Sequence, residues 1–145
     1  MIEEELTSHI LRVYYHVYNS LGYGFIESIY HNAMIIELTS AGLKVETEKS
    51  IAVYYQRRVV GTFSADIVVE DKVILELKAK DKIIEAYEAQ LTNYLRATEI
   101  EIGLLLNFGR QPEFKRKFFS NRNKQLTSEP QSNNRLESLF TDDPF

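Results

Sequence analysis

Two adjacent segments in the middle of the chain, residues 59–69 and 73–79, constrain the fold more than any other feature. Both are rich in β-branched residues, and apolar side chains alternate with polar ones, which is typical of β-strands. Three residues, Glu70, Asp71 and Lys72, separate the segments, and a connection this short joins antiparallel strands. The sequence therefore predicts a β-hairpin at the centre of the fold.

Successive side chains point to opposite faces of a strand, so the alternation assigns each residue of the hairpin to a face. One face is predicted to be apolar and to carry Phe63, Ala65, Ile67, Val69, Val73, Leu75, Leu77 and Ala79. The other face is predicted to carry Asp66, Glu76 and Lys78. If both apolar rows cover the same core, the three-residue loop sets Asp66 directly opposite Glu76.

Two carboxylates that face each other across a β-ladder repel, so Asp66 and Glu76 need a compensating partner. Hard divalent cations such as Mg²⁺ prefer carboxylate oxygens, and a bound cation would turn the repulsion into binding. Lys78 follows Glu76 on the same face, where it could hold a water molecule or a phosphate oxygen. The alternative interpretation is a solvent-facing row of charges on an amphipathic hairpin.

Further helices and strands are predicted on both sides of the hairpin. Apolar residues recur at helical spacing in residues 4–21, 27–41 and 82–97. Extended structure is predicted for residues 43–55, for the apolar run at 102–108 and for residues 114–119. This order predicts an α/β fold in which a mixed β-sheet with an antiparallel meander is flanked by helices.

A chain of 145 residues suits a single compact domain, which we expect to span residues 1–119. Residues 120–145 are rich in polar residues and are predicted to form a flexible tail. Leu136, Leu139 and Phe140 could form one short docking turn within it. The chain has no cysteine, and no apolar run approaches the roughly 20 residues of a membrane span. With an acidic N-terminus, these features lead us to expect a soluble, cytoplasmic protein.

Basic residues are concentrated in one stretch although the net charge is −4. Residues 110–124 contain six lysines and arginines and one acid. A local basic surface can bind phosphates on an acidic protein, so Lys115, Arg116 and Lys117 are candidates for nucleic-acid contacts. The alternative is an ordinary solvated face.

Two further patterns bear on the hairpin site. Gly24, Glu27 and Tyr30 place an acid at the start of a helix, directly after a glycine-rich break. Gln90 and Tyr94 are four residues apart and share one helix face. Both patterns have a simpler explanation. Glu27 could be placed at a helix N-terminus because a negative charge is favourable there. Gln90 and Tyr94 could be a surface amide and a core aromatic residue.

Together these motifs resemble the GxxExxY protein family of the PD-(D/E)xK nuclease superfamily. Gly24, Glu27 and Tyr30 match the naming motif, and Asp66, Glu76 and Lys78 match the superfamily core. Gln90 and Tyr94 resemble the Q-xxx-Y element of its RecB-like branch. One position departs from the pattern, since Ala65 stands where the superfamily name has proline.

The resemblance implies a restriction-endonuclease-like core with a metal site, but no particular substrate. For an active site we expect Mg²⁺, with Mn²⁺ as a substitute, to support cleavage of DNA phosphodiester bonds. Asp66 and Glu76 would be metal ligands, with Glu27 contributing to a second metal or orienting a water molecule. Lys78 would offset transition-state charge, Gln90 would hydrogen-bond the site or substrate, and Tyr94 would support the helix and contact nucleic acid.

Alternatives to an active nuclease remain open at this stage. The chain could be a non-catalytic nucleic-acid-binding or protein-interaction module that keeps the fold, and a protein partner or homodimer is left open. His9 and His16 share a helix face, but no acid or cysteine completes a ligand set around them. His31 lies four residues after Glu27 and could lie near the site, but a surface or packing role is expected for all three histidines.

Overall fold

The computed structural model describes residues 3–127. The predicted order of helices and strands is confirmed, and the helices are α1 (Glu4–Leu21), α2 (Glu27–Ser40) and α3 (Glu85–Arg96). The strands are β1 (Val45–Tyr55), β2 (Arg58–Val69), β3 (Val73–Lys78), β4 (Ile102–Phe108) and β5 (Pro112–Phe118), followed by a 3₁₀ turn at Asn121–Asn123.

The five strands form one mixed sheet in the order β1-β2-β3-β4-β5. β3 and β4 are parallel, and every other neighbouring pair is antiparallel. α3 makes the crossover between β3 and β4, so both of these strands end at the same edge of the sheet. The predicted α/β fold with a mixed sheet and an antiparallel meander is therefore confirmed.

Helices cover both faces of the sheet. α1 and α2 bury one face around Tyr14, Tyr30 and Met34, and α3 covers the other with Leu91 and Leu95. α3 can approach the sheet closely because β4 has Gly103, where an added Cβ would lie 2.7 Å from the Leu91 side chain. The result is a three-layer α/β/α domain with two apolar cores.

The central hairpin has the predicted register, since Val69 pairs with Val73 across the three-residue loop. The prediction for the faces of β2 is wrong. Phe63 and Ala65 pack on the α3 side, whereas Ile67 and Val69 pack on the side of α1 and α2. For β3 the prediction is confirmed, because its odd-numbered apolar residues all face α1 and α2.

The change of face in β2 has a local cause at Asp66. The β1–β2 ladder is interrupted where Glu48 lies opposite Asp66, and Glu48 has a φ of 48°, which L-residues seldom adopt. The β2–β3 ladder also stops one pair short of Asp66, at Ile67 and Leu75. A periodicity of two cannot be continued through such a break, so the alternation in the sequence was misleading at this point.

Residues that follow β5 pack against the domain as far as the structure describes them. The Lys124 side chain is buried, and its Nζ donates hydrogen bonds to the carbonyl oxygens of Thr98 (2.8 Å) and Ile100 (2.6 Å). The amide of Tyr54 in β1 donates to the Leu126 carbonyl. The rest of the predicted tail, including the docking turn at residues 136–140, lies outside the described residues.

Within residues 3–127, none of the helices combines the length and the apolar character that a membrane span requires.

Candidate functional site

The structure brings Asp66 and Glu76 together at the point where β2 and β3 stop pairing. Asp66 Oδ2 accepts a hydrogen bond from the Leu77 amide at 3.0 Å, in the place where a main-chain carbonyl would continue the ladder. Glu76 Oε1 accepts a longer bond, 3.4 Å, from the Asp66 amide. Each carboxylate therefore reaches across to the other strand, and the two acids share one local site.

Burial makes this acidic pair electrostatically unfavourable without a cation. Glu76 is 5% exposed, and its burial raises the pKa of the carboxyl group to about 8. The negative charge of Asp66 raises this pKa further, whereas the Asp66 amide and the Lys78 ammonium lower it. One lysine does not compensate for the desolvation and for the second carboxylate, so the site favours an additional positive charge.

Lys78 ends β3 beside the acids and is half-buried. Its Nζ lies 4.6 Å from the centre of the Tyr87 ring in α3, which is a favourable cation–π geometry. The aromatic ring attracts the ammonium group without neutralising it. Tyr87 was not among the predicted site residues, although it lies seven residues before Tyr94 and so on the same helix face.

The loop before α2 is held by Tyr30. Gly22 and Gly24 both have positive φ values, 70° and 109°, which a side chain would disfavour. The buried Tyr30 hydroxyl donates to the Gly22 carbonyl (2.6 Å) and accepts from the Phe25 amide (3.2 Å). Within the motif of Gly24, Glu27 and Tyr30, the glycine and the tyrosine therefore shape the loop that presents the acid.

Glu27 joins the site from this loop. The residue is exposed, but partial desolvation of its carboxyl group and the negative charge of Asp66 raise the pKa of that group. Lys78, Lys80 and His31 act in the opposite direction and lower the pKa. These interactions show that a residue 39 positions before Asp66 in the chain has come within electrostatic range of it.

α3 brings Tyr94 to the acids but leaves Gln90 in solvent. The Tyr94 ring stacks on Phe63, with centroids 3.9 Å apart, and burial together with the charges of Glu76 and Asp66 raises the pKa of its hydroxyl. Gln90 is exposed on the same helix. In the part of the chain that the structure describes, no hydrogen bond joins the Gln90 side chain to the acids.

The segment between β3 and α3 is fixed by residues that the sequence analysis did not single out. The Asn107 side chain accepts from the Lys80 amide (3.0 Å) and donates to the Lys80 carbonyl (2.9 Å). Glu113 accepts from the Ile83 amide at 2.9 Å. These bonds hold residues 80–84 in an irregular, bent conformation, which explains why α3 begins at Glu85 and not at the predicted residue 82.

His31 contacts the site directly, although a surface or packing role was expected for it. Its Nε2 lies 3.0 Å from the Asp66 carbonyl oxygen, and since a carbonyl can only accept, Nε2 is the donor. The bond supports the backbone at the break in β2. The spacing of four residues from Glu27 was the available signal, because it puts both side chains on one face of α2.

The basic residues of β5 do not share one face. Lys117 forms an ion pair with Glu88 of α3 (2.6 Å), whereas Arg116 donates to the Thr7 hydroxyl of α1 (2.8 Å). Lys115 is exposed and lies on the α3 side with Lys117. Arg116 therefore lies on the opposite side of the sheet from Glu76, and only the two lysines lie on the same side as the acids.

The donor set fits a hard divalent cation. Asp66, Glu76 and Glu27 offer carboxylate oxygens, which Mg²⁺ prefers, and the buried pair of Asp66 and Glu76 favours more positive charge than Lys78 supplies. Among the described residues, no three His, Asp or Glu side chains are already arranged as a metal-binding group. A third ligand would therefore have to come from a side-chain adjustment, a backbone carbonyl or water.

The fold and the site together define a class of protein. A three-layer α/β domain that gathers two acids and a lysine around its central strands is a restriction-endonuclease-like core. The family model of the PD-(D/E)XK nuclease superfamily matches residues 4–117, and the chain belongs to this superfamily. The searches of curated proteins and of solved structures found no match. The GxxExxY family and the RecB-like branch remain predictions from the motifs.

Proposed function

We propose that this protein is a nuclease that hydrolyses DNA phosphodiester bonds with Mg²⁺, or Mn²⁺ in its place. The observation that carries the proposal is the convergence of Asp66 and buried Glu76 at the break in the β2–β3 ladder. A chain that needed only a stable sheet would gain nothing from two opposed carboxylates at this position. Membership of the nuclease superfamily supports the same conclusion.

Each residue of the site has a proposed task. Asp66 and Glu76 hold the cation, and Glu27 supplies a further ligand or orients the attacking water. When bound, the cation would lower the pKa of a water molecule and neutralise charge on the phosphoryl oxygens. Lys78, restrained above Tyr87, offsets the charge that develops on the phosphate in the transition state.

The remaining predicted residues act at the edge of the site. Tyr94 supports β2 by stacking on Phe63 and stays available to a bound strand. Gln90 is exposed and would hydrogen-bond the substrate when the substrate is bound. Lys115 and Lys117 would contact phosphates, whereas Arg116 faces α1 and is not proposed to do so.

The test combines cleavage assays with calorimetric titration of Mg²⁺ and Mn²⁺. The substrates are single-stranded, duplex, flapped and branched DNA. Asp66→Asn and Glu76→Gln should weaken metal binding and lower the rate of cleavage about a hundredfold or more, because a ligand is lost. Lys78→Met should leave metal binding intact and lower cleavage by about a hundredfold.

Glu5→Gln is the matched control, since Glu5 is an exposed acid on the first turn of α1. It should retain wild-type binding and cleavage. If the metal binds but none of the DNA substrates is cut, the catalytic proposal is wrong and a non-catalytic binding module remains. If Asp66→Asn binds metal as tightly as the wild type, the assignment of the metal site itself is wrong.

A further inference from the structure

Exposed apolar side chains cluster around Glu27. Tyr23 is 56% exposed, Phe25 46%, Ile26 69% and Ile29 39%. Removing apolar side chains from water lowers the free energy, so exposed apolar residues beside a candidate site residue are a candidate recognition surface. We name Tyr23 and Phe25 the aromatic pair.

The aromatic pair is held on a rigid loop. The Tyr30 hydroxyl donates to the Gly22 carbonyl and accepts from the Phe25 amide, so it holds both the residue before Tyr23 and the backbone of Phe25. The Phe25 ring also packs edge-on against the Tyr30 ring, with centroids 6.2 Å apart. Because the loop is already ordered, binding a ligand there costs little conformational entropy.

Positive charge lies next to the aromatic pair. The Arg110 guanidinium is 5.8 Å from the centre of the Tyr23 ring and covers one face of it. The Arg110 carbonyl oxygen is 2.7 Å from the Tyr18 hydroxyl, and this contact attaches the segment after β4 to α1. Lys80, whose charge acts on Glu27, is exposed nearby.

The fold places this surface beside the acids. Gly109 precedes Arg110 and touches the backbone of Lys80, since an added Cβ would lie 2.4 Å from the Lys80 carbonyl oxygen. Lys80 follows Lys78 at the end of β3, and Gly109 follows the end of β4. The aromatic pair, Arg110 and Glu27 therefore lie at the edge of the sheet where the parallel strands end.

We infer that the aromatic pair stacks on the bases of an unpaired nucleic-acid strand and guides it towards the acidic site. The inference rests on the proposed nuclease function and specifies its substrate class. Aromatic rings stack on any base, and a neighbouring guanidinium attracts the phosphate backbone. Bases inside a duplex are covered on both faces by their neighbours, so only unpaired nucleotides can use the pair.

The experiment measures binding without cleavage. Fluorescence anisotropy in EDTA reports the affinity for a fluorescein-labelled oligothymidylate and for a blunt duplex. Tyr23→Ala and Phe25→Ala should each weaken binding of the single strand about fivefold or more, as expected for the loss of one base–aromatic stack. Binding of the duplex should change by less than about twofold.

Two further variants separate stacking from general apolar contact. Phe25→Trp should bind the single strand at least as tightly as the wild type, whereas Phe25→Leu should lose as much affinity as Phe25→Ala. Tyr55→Ala is the matched control, because Tyr55 is 58% exposed at the β1–β2 turn, and it should leave binding unchanged. Thermal unfolding of each variant checks that the fold is retained.

The inference is overturned if Phe25→Leu binds like the wild type, if Tyr55→Ala causes an equal loss, or if the duplex and the single strand lose affinity alike. The first result would indicate general apolar contact in place of base stacking. Cleavage in Mg²⁺ is scored separately. If the protein cleaves DNA but the aromatic variants bind the single strand as tightly as the wild type, the inference is wrong and the proposed function stands. If binding depends on the aromatic pair but the protein cuts no DNA, the proposed function is wrong and the inference stands.

Discussion

Burial of Glu76 makes the stability of the protein without bound metal depend on pH. In the folded state its pKa is raised from 4.5 to about 8, first by burial and then by the charge of Asp66. The folded protein therefore holds a proton that the unfolded chain releases at lower pH. The resulting stability is fully present below about pH 4.5 and is lost as the pH rises through about 8.

We predict that, in EDTA, the free energy of unfolding contributed by this site falls by on the order of 2 kcal/mol between about pH 5 and pH 8. Glu76→Gln has nearly the same shape and no charge, so its free energy of unfolding should vary less over this range. Urea denaturation at both pH values measures the difference, and Glu5→Gln should keep the wild-type dependence. Equal pH dependence in Glu76→Gln and the wild type would contradict the prediction.

At the scale of elements, the position of Lys78 depends on the crossover from β3 to α3. Asn107 binds both main-chain polar groups of Lys80, and Gly109 lies against the Lys80 carbonyl. Because β4 and the residue that follows it supply these contacts, the end of β3 is aligned by its parallel neighbour. A shift of the backbone at Lys80 would displace Lys78, which lies two residues earlier.

Gly109→Ala tests this alignment. The new Cβ would lie 2.4 Å from the Lys80 carbonyl oxygen and 3.1 Å from that of Asp81, so backbone must move. We expect a loss of about 2 kcal/mol in the free energy of unfolding, together with slower DNA cleavage. Gly61→Ala is the control, because nothing lies within 4 Å of its added Cβ. Equal stability of the two variants would show that the crossover is not tightly held.

At the scale of the whole molecule, the chain after β5 returns to close one end of the domain. Lys124 is 1% exposed, and its burial lowers the pKa of the ammonium group to about 8. Its Nζ satisfies two carbonyl oxygens in the turn between α3 and β4. Asn121 adds a bond from its amide to Glu101 in the same turn. Residues beyond the matched range, 4–117, thus contribute to the fold.

Lys124→Met keeps the long apolar stem but removes the donor. The carbonyl oxygens of Thr98 and Ile100 would lose this partner, and we expect the free energy of unfolding to fall by about 2 kcal/mol. Lys82→Met, at an exposed position, should change it by less than about 0.5 kcal/mol. Thermal and urea unfolding measure both. A Lys124→Met protein as stable as Lys82→Met would mean that this segment packs without contributing stability.

The sequence by itself determined the local features of the structure. The order of helices and strands follows from hydrophobic periodicity, which is set by neighbouring residues. The register of the central hairpin follows from a loop of three residues, so the meeting of Asp66 and Glu76 could be predicted. The break in helical structure at Gly22 and Gly24 before Glu27 could also be expected, because glycine adopts the positive φ values found there more readily than other residues do.

Tertiary structure decided what depends on residues far apart in the chain. The break at Asp66 lies opposite Glu48 in another strand, so no pattern within β2 could show that its faces exchange there. Glu27 and His31 reach Asp66 only because α2 packs on the sheet. The apolar pattern of the sequence shows which residues are suited to burial. The partner against which each residue is buried, and the electrostatic interactions that result, are determined only when the layers pack together.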